Sequence, residues 1–146
     1  MTELTYTIRQ MQQEDIPAVR AIEVIVQPDD PWSEKIFSDC LRVGYPAWVM
    51  YQAETLVAYS VLMIAAGEAH LLTIAIKPEC QGQGLAKRML DVIINFCQAK
   101  LCQRIFLEVR PGNIRAIRLY ENYGFKPDGI RKDYYITADG REDALL

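Results

Sequence analysis

The segment Leu71–Leu90 constrains the fold of this chain more than any other part of the sequence. The apolar run Leu71–Ile76 is typical of a buried strand, and Pro78 ends it. Glycines follow at Gly82 and Gly84. Apolar residues then recur at helical spacing, at Leu85, Met89, Val92, Ile93 and Phe96. Such a turn gathers backbone N–H groups at the positive end of a helix dipole, which predicts a phosphate-binding turn.

The size and composition of the chain exclude several classes of protein. Its 146 residues predict one domain over residues 1–146, and no apolar stretch reaches the ~20 residues that span a bilayer. A net charge of −3 argues against a broad nucleic-acid-binding surface. The single His and the absence of a CxxC pair argue against a zinc site. We expect a cytoplasmic protein without a secretory signal, whose cysteines are reduced and mostly buried: Cys40, Cys80, Cys97 and Cys102.

Periodicity and turn residues predict an α/β (α+β) fold. The order is β-α-α-β-β-β-α-β-α-β-β, with a mixed, mostly antiparallel central sheet flanked by helices. The predicted elements are strand Thr5–Met11, helices Gln13–Val26 and Ser33–Val43, strands Ala47–Tyr51, Leu56–Ala65 and Leu71–Ile76, helix Leu85–Ala99, strand Arg104–Val109, a helix through Ala116, Leu119, Tyr120 and Tyr123, and a hairpin of Ile130–Ile136 with Asp143–Leu146. We expect Ser33 to cap its helix and Gly44 to end it.

The turn itself has two interpretations. Small residues at Gly82, Gly84 and Ala86 allow a ligand to approach the backbone, and a pyrophosphate there would accept N–H bonds from the helix start. Alternatively, the glycines serve only a tight turn that needs their φ angles. A dinucleotide fingerprint beginning at Gly82 is disfavoured, because it breaks at Lys87 and lies in the middle of the chain.

Taken together, several segments resemble a known family. The pattern Gln81-x-x-Gly84-x-Ala86, preceded by Ile74-Ala75-Ile76, resembles the acetyl-CoA pyrophosphate loop of the GNAT acetyltransferases, whose fold has the predicted element order. Other segments are similar to the RimI subfamily, bacterial enzymes that acetylate the N-terminal alanine of ribosomal protein S18. They are Pro31-Trp32-Ser33-Glu34, Leu107-Glu108-Val109-Arg110 with Asn113 and Leu119-Tyr120-Glu121-x-x-Gly124-Phe125, and Arg131-x-x-Tyr134-Tyr135 with Asp139-Gly140-Arg141-Glu142-Asp143-Ala144.

The resemblance implies acetyl transfer from acetyl-CoA to a protein N-terminal α-amine, with alanine of S18 as the acceptor. From composition and charge we expect no metal and no direct contact with nucleic acid or membrane, and we also expect a monomer or weak dimer. The backbone of the strand before the loop would pair with the pantetheine arm, and the loop would hold the pyrophosphate. The cofactor-binding residues implied in this way are Ile74, Ala75, Ile76, Gln81, Gly82, Gln83, Gly84, Leu85, Ala86, Lys87 and Asn113.

Glu108 is a polar residue in an otherwise apolar predicted strand. It would be unremarkable if it faced the solvated side of a sheet. The other interpretation is a general base, because an α-amino group has a pKa of about 8 and is mostly protonated at neutral pH. The resemblance assigns Glu108 this catalytic role.

Tyr120 lies on the apolar stripe of its predicted helix, and the sequence alone favours a core aromatic. The resemblance instead makes it the general acid toward the CoA thiolate. Asn113 is a candidate N-cap of the same helix, and the resemblance adds a contact with the cofactor. A covalent route through Cys80 is disfavoured, because no His lies near it in sequence.

Other functions remain open on the sequence alone. One is an acetyltransferase for a small amine or an internal lysine. Another is a non-catalytic module that binds acyl-CoA and regulates a partner. The joint presence of Glu108 and Tyr120 argues against the non-catalytic alternative.

Overall fold

The computed structural model describes residues 5–107, 114–122, 125, 130–137 and 140–145. The chain forms two compact units, the first ending at Ile105 and the second beginning at Phe106. Whether residues 1–146 act as a single domain stays a prediction. No helix in the described part of the chain is long and apolar enough to cross a membrane.

The elements follow the order predicted from periodicity. The strands are β1 (Tyr6–Gln10), β2 (Ala47–Gln52), β3 (Thr55–Ala65), β4 (Glu68–Ile76), β5 (Arg104–Leu107), β6 (Ile130–Thr137) and β7 (Gly140–Leu145). The helices are α1 (Ile16–Val26), α2 (Glu34–Arg42), α3 (Leu85–Ala99) and α4 (Ile114–Asn122). Short 3-10 turns precede α1 at Gln13–Asp15 and follow β4 at Pro78–Cys80.

The main sheet has the strand order β1-β2-β3-β4-β5, and β6 pairs with β7 in a separate hairpin. The pairings β1–β2, β2–β3, β3–β4 and β6–β7 are antiparallel. This mixed α/β architecture, with a mostly antiparallel sheet, confirms the predicted fold class. The register of β3 and β4 shifts between Val61 and Leu62, so that Leu72 forms a bulge in β4.

Helices cover both faces of the sheet in the first unit. On one face, α1 and α2 pack against alternate strand residues around the fully buried Tyr59. On the other face α3 packs, and its Phe96 ring forms a T-shaped contact with the ring of Trp48, at 5.1 Å between centroids. The first core contains Ile16, Val19, Ile22, Phe37, Cys40, Ala47, Val49, Tyr59 and Val61. Strand alternation therefore separates two cores, one on each face.

Three predicted boundaries were wrong. The helix expected at Gln13–Val26 begins with a 3-10 turn, and α1 proper starts at Ile16 with Pro17 in its first turn. The strand expected at Leu71 already begins at Glu68, because Ala66 and Gly67 have positive φ and form a two-residue hairpin turn that continues the ladder at once. In the last hairpin, the second strand begins at Gly140 rather than Asp143.

The capping predictions for α2 are confirmed. The Ile36 N–H donates to Oγ of Ser33 over 3.2 Å, and Gly44 follows the helix with a φ of +89°. The cysteines are free thiols. Cys40 and Cys97 are buried, and burial raises the pKa of Cys97 to about 11. Cys80, the last residue of the 3-10 turn after β4, and Cys102, which follows α3, are half-buried.

A buried carboxylate joins β1, β2 and the start of α1. Asp15 is 4% exposed and accepts two hydrogen bonds from Arg9, at 2.8 and 2.7 Å. It also accepts from the Gln12 N–H and from Oη of Tyr51, each at 2.7 Å. Burial alone would raise the pKa of Asp15, but these hydrogen bonds outweigh it and hold the pKa below its usual range.

The lowered pKa predicts how stability depends on pH. A carboxylate with a depressed folded pKa contributes stability above its unfolded pKa, and that contribution is lost as the pH falls through the folded value. We expect Asp15→Asn to lower the free energy of unfolding by about 2 kcal/mol at pH 7. Below about pH 4 the difference from wild type should shrink. Urea unfolding at several pH values measures it.

Asp39→Asn is the matched control. The pKa of Asp39 is also lowered, first by its hydrogen bond from Lys35, but Asp39 is half-exposed on α2. Exposed ion pairs contribute little, so this variant should remain close to wild type. Equal losses in both variants would contradict the importance of the buried network.

Candidate functional site

The turn between β4 and α3 requires both of its glycines. Gly82 and Gly84 have φ values of +80° and +79°, a region that other residues enter only with strain. Nε2 of Gln81 donates to the Ile76 carbonyl over 3.2 Å and ties the turn to the end of β4. The tight-turn interpretation is therefore correct, and it is compatible with ligand binding because the glycines also leave the backbone accessible.

The N-terminus of α3 lacks a side-chain cap. Gly84 occupies the N-cap position, whereas Ser33 caps α2. A Cβ added at Gly84 would meet no atom within 4 Å, so the space before the helix is open. The first-turn N–H groups of a helix have no acceptor within the helix. The arrangement fits an anionic group of a ligand.

The predicted loop residues divide into anchors and exposed positions. Leu85 is buried in the core, so it can offer a ligand only its backbone N–H. Gln83 is exposed, and its Oε1 accepts a hydrogen bond from Oη of Tyr6 on β1 at 3.1 Å. The exposed positions of the loop are Gln81, Gly82, Gln83, Gly84 and Lys87, and Ala86 is half-buried. The loop thus presents mainly its backbone and a few polar side chains.

The strand before the loop is held from one side by β3. Ile74, Ala75 and Ile76 lie opposite Ser60, Tyr59 and Ala58, and all three are half-buried. The Lys77 N–H donates to the Val57 carbonyl at 2.8 Å, which extends the ladder to the point where the turn begins. The end of β4 and the start of α3 are therefore positioned by the same strand pairing.

A second buried carboxylate lies beside this strand. Glu23 of α1 is 2% exposed; its Oε1 accepts from Oη of Tyr59 at 2.6 Å and its Oε2 from the Trp32 N–H at 2.9 Å. Arg20, one turn earlier, donates to the Trp32 carbonyl. Burial and the bond to Glu23 raise the pKa of Tyr59 far above its usual value. Because Tyr59 lies opposite Ala75, the network connects the segment before α2 to β4.

This network was not predicted from the sequence, although a signal for it exists. Glu23 lies four residues after Val19 and three before Val26, on the apolar stripe of α1. A charged residue on a buried stripe needs a partner. The identity of that partner is not visible in the sequence, since Tyr59 is 36 residues away.

Tyr120 of α4 is a buried aromatic residue. It is 8% exposed, and the ring of Phe125 meets its ring edge-on at 5.9 Å between centroids. The Phe125 N–H donates to the Tyr120 carbonyl over 3.0 Å. Burial raises the pKa of Tyr120 to about 12, so its phenol stays protonated at neutral pH and can donate a hydrogen bond.

The other predicted site residues of the second unit, Glu108 and Asn113, lie outside the described residues. Their roles as base and as cofactor contact stay predictions. In the part of the chain that the structure describes, no three His, Cys, Asp or Glu side chains are grouped so that they would hold a metal ion.

Known proteins share this architecture along nearly the whole chain. Residues 6–125 match the Acetyltransferase (GNAT) family. The [Ribosomal protein bS18]-alanine N-acetyltransferase of Escherichia coli K12 is 36% identical over 140 residues, which cover 96% of this chain and 94% of that protein. The putative [ribosomal protein bS18]-alanine N-acetyltransferase of Bacillus subtilis is 35% identical over 141 residues, 95% of this chain and 91% of that protein.

Solved structures agree with these sequence matches. The crystal structure of the ribosomal-protein-S18-alanine N-acetyltransferase from Escherichia coli superposes with a TM-score of 0.86 at 35% identity, covering 97% of this chain and 90% of that one. Arabidopsis thaliana NAA60 in complex with acetyl-CoA has a TM-score of 0.85 at 16% identity, over 97% and 96% of the two chains, which shows a shared fold. By family match, by full-length identity and by fold, the chain belongs to the GNAT family of acetyltransferases.

Proposed function

We propose that this acetyltransferase transfers the acetyl group of acetyl-CoA to a protein N-terminal α-amine, that of the alanine of ribosomal protein S18. The observation that carries the proposal is the 36% identity with the Escherichia coli bS18-alanine N-acetyltransferase, which extends over 96% of this chain. On this proposal the protein acts in the cytoplasm, as a monomer or weak dimer, without a metal and without direct contact with nucleic acid or membrane.

The loop and the strand before it would hold acetyl-CoA. The open, glycine-capped start of α3 suits the pyrophosphate, because its first-turn N–H groups and helix dipole favour an anion. The backbone of Ile74–Ile76 would pair with the amides of the pantetheine arm, as an added strand does. The loop contacts would come from Gln81, Gly82, Gln83, Gly84, Leu85, Ala86 and Lys87, with Asn113 as a further contact.

The reaction needs an uncharged amine. At neutral pH an α-amino group is mostly protonated, since its pKa is about 8. Glu108 would accept that proton, directly or through water. The amine nitrogen then forms a bond to the acetyl carbon, and the carbon–sulfur bond breaks with its electron pair going to sulfur. The nitrogen loses its second proton to water or to the departing thiolate, which leaves a neutral amide. Backbone N–H groups of β4 would stabilise the charge on the acetyl oxygen.

Tyr120 would act at the departing sulfur. Its pKa of about 12 lies well above the roughly 8.5 of a thiol, so complete transfer of its proton to a thiolate would be unfavourable. A neutral phenol can still donate a hydrogen bond to the charge that develops on sulfur, and in a buried position such a bond is strong. We therefore assign Tyr120 hydrogen-bond donation as its main contribution, with the thiolate released as such or protonated by water.

The acceptor is tested by thiol release from acetyl-CoA. We expect release with a peptide that copies the N-terminus of S18 and begins with alanine. The same peptide with a blocked N-terminus but a free lysine should be inactive, and so should a polyamine. Release with the blocked peptide but not with the S18 peptide or the polyamine would establish the internal-lysine alternative. Release with only the polyamine would establish the small-amine alternative. If acetyl-CoA raised the melting temperature but no amine led to thiol release, the protein would be a non-catalytic CoA-binding protein.

The catalytic roles are tested by substitution. Glu108→Gln should lower kcat by about 100-fold, because the general base is lost, with little effect on CoA binding. Tyr120→Phe should lower kcat by roughly tenfold or more, because one donor to the developing charge is lost.

The pH dependence of the wild-type enzyme is a further test. Activity should show no decline from phenol ionisation up to about pH 10, because the pKa of Tyr120 is raised to about 12.

Glu121→Gln is the matched control for charge, because Glu121 is exposed on the same helix as Tyr120. This variant should retain wild-type kcat. Unchanged turnover in Glu108→Gln would refute the base assignment. Wild-type turnover in Tyr120→Phe would return Tyr120 to a core role.

The loop is tested with a pair of glycine substitutions. Gly84→Ala and Gly67→Ala replace glycines with φ of +79° and +77°, and a Cβ meets no atom within 4 Å at either position. Each should therefore lower the free energy of unfolding by about 1 kcal/mol through backbone strain. Only Gly84→Ala should also weaken CoA binding, because it disturbs the start of α3. If calorimetry gave the same CoA affinity for Gly84→Ala, Gly67→Ala and the wild type, the loop would not be the site that binds the cofactor.

A further inference from the structure

Arg88 is an exposed basic residue beside the loop to which the reaction described above gives no role. The backbone N–H of Arg88 donates to the Gly84 carbonyl over 3.3 Å, so Arg88 lies one helical turn after the N-cap of α3. Side chains on a helix lean toward its N-terminus. The guanidinium of Arg88 is therefore directed back along the flank of α3 toward the glycine turn.

The ring of Tyr6 holds this guanidinium in place, and Gln83 in turn holds Tyr6. Its Cζ lies 5.4 Å from the centroid of the Tyr6 ring, the geometry of a cation–π contact. Oη of Tyr6 in turn donates to Oε1 of Gln83 in the turn, at 3.1 Å. Tyr6 comes from β1, so strand, turn and helix each contribute one side chain to this group, which we call the Tyr6 cluster (Tyr6, Gln83 and Arg88).

The guanidinium of Arg88 is available to a negatively charged ligand. No ion pair between Arg88 and a carboxylate is found within the described residues. Stacking on an aromatic ring uses the face of a guanidinium and leaves the N–H donors at its edge available. Those donors match the paired oxygens of a phosphate, and restraint of the side chain by Tyr6 reduces the entropy lost on binding.

The position of the cluster indicates which phosphate. The first-turn N–H groups point along the axis of α3 and would meet the pyrophosphate. Arg88 lies off that axis, on the flank that faces β1. Besides its pyrophosphate, CoA carries one phosphate monoester, on the 3′ oxygen of its ribose, and this group carries more negative charge per phosphorus atom than the pyrophosphate.

We propose that Arg88, held over Tyr6, binds the 3′-phosphate of CoA and makes this protein prefer CoA over dephospho-CoA. The inference rests on the proposed function, because it assumes that the loop binds CoA. It adds a specificity-determining residue, Arg88, and a positioning residue, Tyr6. Neither belongs to the pyrophosphate loop pattern or to the proposed catalytic pair.

Calorimetric titration with CoA and with dephospho-CoA tests the proposal without an acceptor or any turnover. The wild-type protein should bind CoA about five- to tenfold more tightly, the range for a charge-assisted contact that solvent partly screens. In Arg88→Gln this ratio should fall to near one, through weaker binding of CoA alone. Added salt should reduce the ratio in the wild type and leave it unchanged in Arg88→Gln.

The Tyr6 variants separate stacking from the hydrogen bond. Tyr6→Phe keeps the ring under Arg88 and should retain most of the preference for CoA over dephospho-CoA, whereas Tyr6→Leu removes the ring and should lower that preference.

Lys100→Gln is the matched control. Lys100 follows the far end of α3, and its Nζ lies over the Phe96 ring at 5.6 Å from the centroid. It removes the same charge and the same kind of contact, and it should leave the ratio unchanged.

The outcomes distinguish this inference from the proposed function. Equal wild-type affinities for CoA and dephospho-CoA would refute the role of Arg88 and leave the proposed function intact. Equal weakening of both ligands in Arg88→Gln would also refute it, since Arg88 would then act on the pyrophosphate or the loop. A wild-type protein that binds neither ligand would overturn the proposed function itself.

Discussion

The pairing of β3 with β4 is the contact on which the rest of the first unit depends. β3 is buried through most of its length, and its ladder with β4 runs to Ile76 and ends with the bond from Lys77 to Val57. Because backbone hydrogen bonds hold β4 up to that point, the glycine turn and the start of α3 begin from a defined position. Helices on both faces exclude water from this ladder, which is why so much of β3 is apolar.

Two buried carboxylates stabilise the surroundings of that sheet in different ways. Asp15 has a cationic partner, Arg9, and remains a charged group whose contribution depends on pH. Glu23 receives its hydrogen bonds from neutral donors, Oη of Tyr59 and the Trp32 N–H. Each carboxyl group joins segments that are distant in sequence, and leaving either one without its donors would place unsatisfied polar atoms in the core. Such groups favour one arrangement of strands and helices over its alternatives.

The proposed site would combine backbone and side-chain recognition. Backbone groups of β4, the turn and α3 are suited to the parts of CoA that all its thioesters share, and glycines keep that backbone accessible. On the proposals made for Tyr120 and Arg88, side chains would add chemistry and selectivity, and the properties of these side chains depend on burial. Burial raises the pKa of Tyr120 to about 12 and so keeps its phenol protonated well above neutral pH, whereas the exposed Arg88 is restrained by its contact with the Tyr6 ring.

The sequence by itself determined the order of the elements, the glycine turn, the caps of α2 and the resemblance that led to the family, because these depend on residues within a few positions of one another. Its errors lie at boundaries, such as the early start of β4, where a hairpin turn extended the ladder beyond the apolar pattern. Only the tertiary structure decided the partners of Glu23 and Arg88. Tyr59 lies 36 residues from Glu23. The ring of Tyr6 holds Arg88, and Tyr6 lies 77 residues from Gln83 in the same cluster, so only the folding of the chain brings these residues together. Local periodicity carries no information about contacts between elements, and it is those contacts that set burial, pKa and the direction of a side chain.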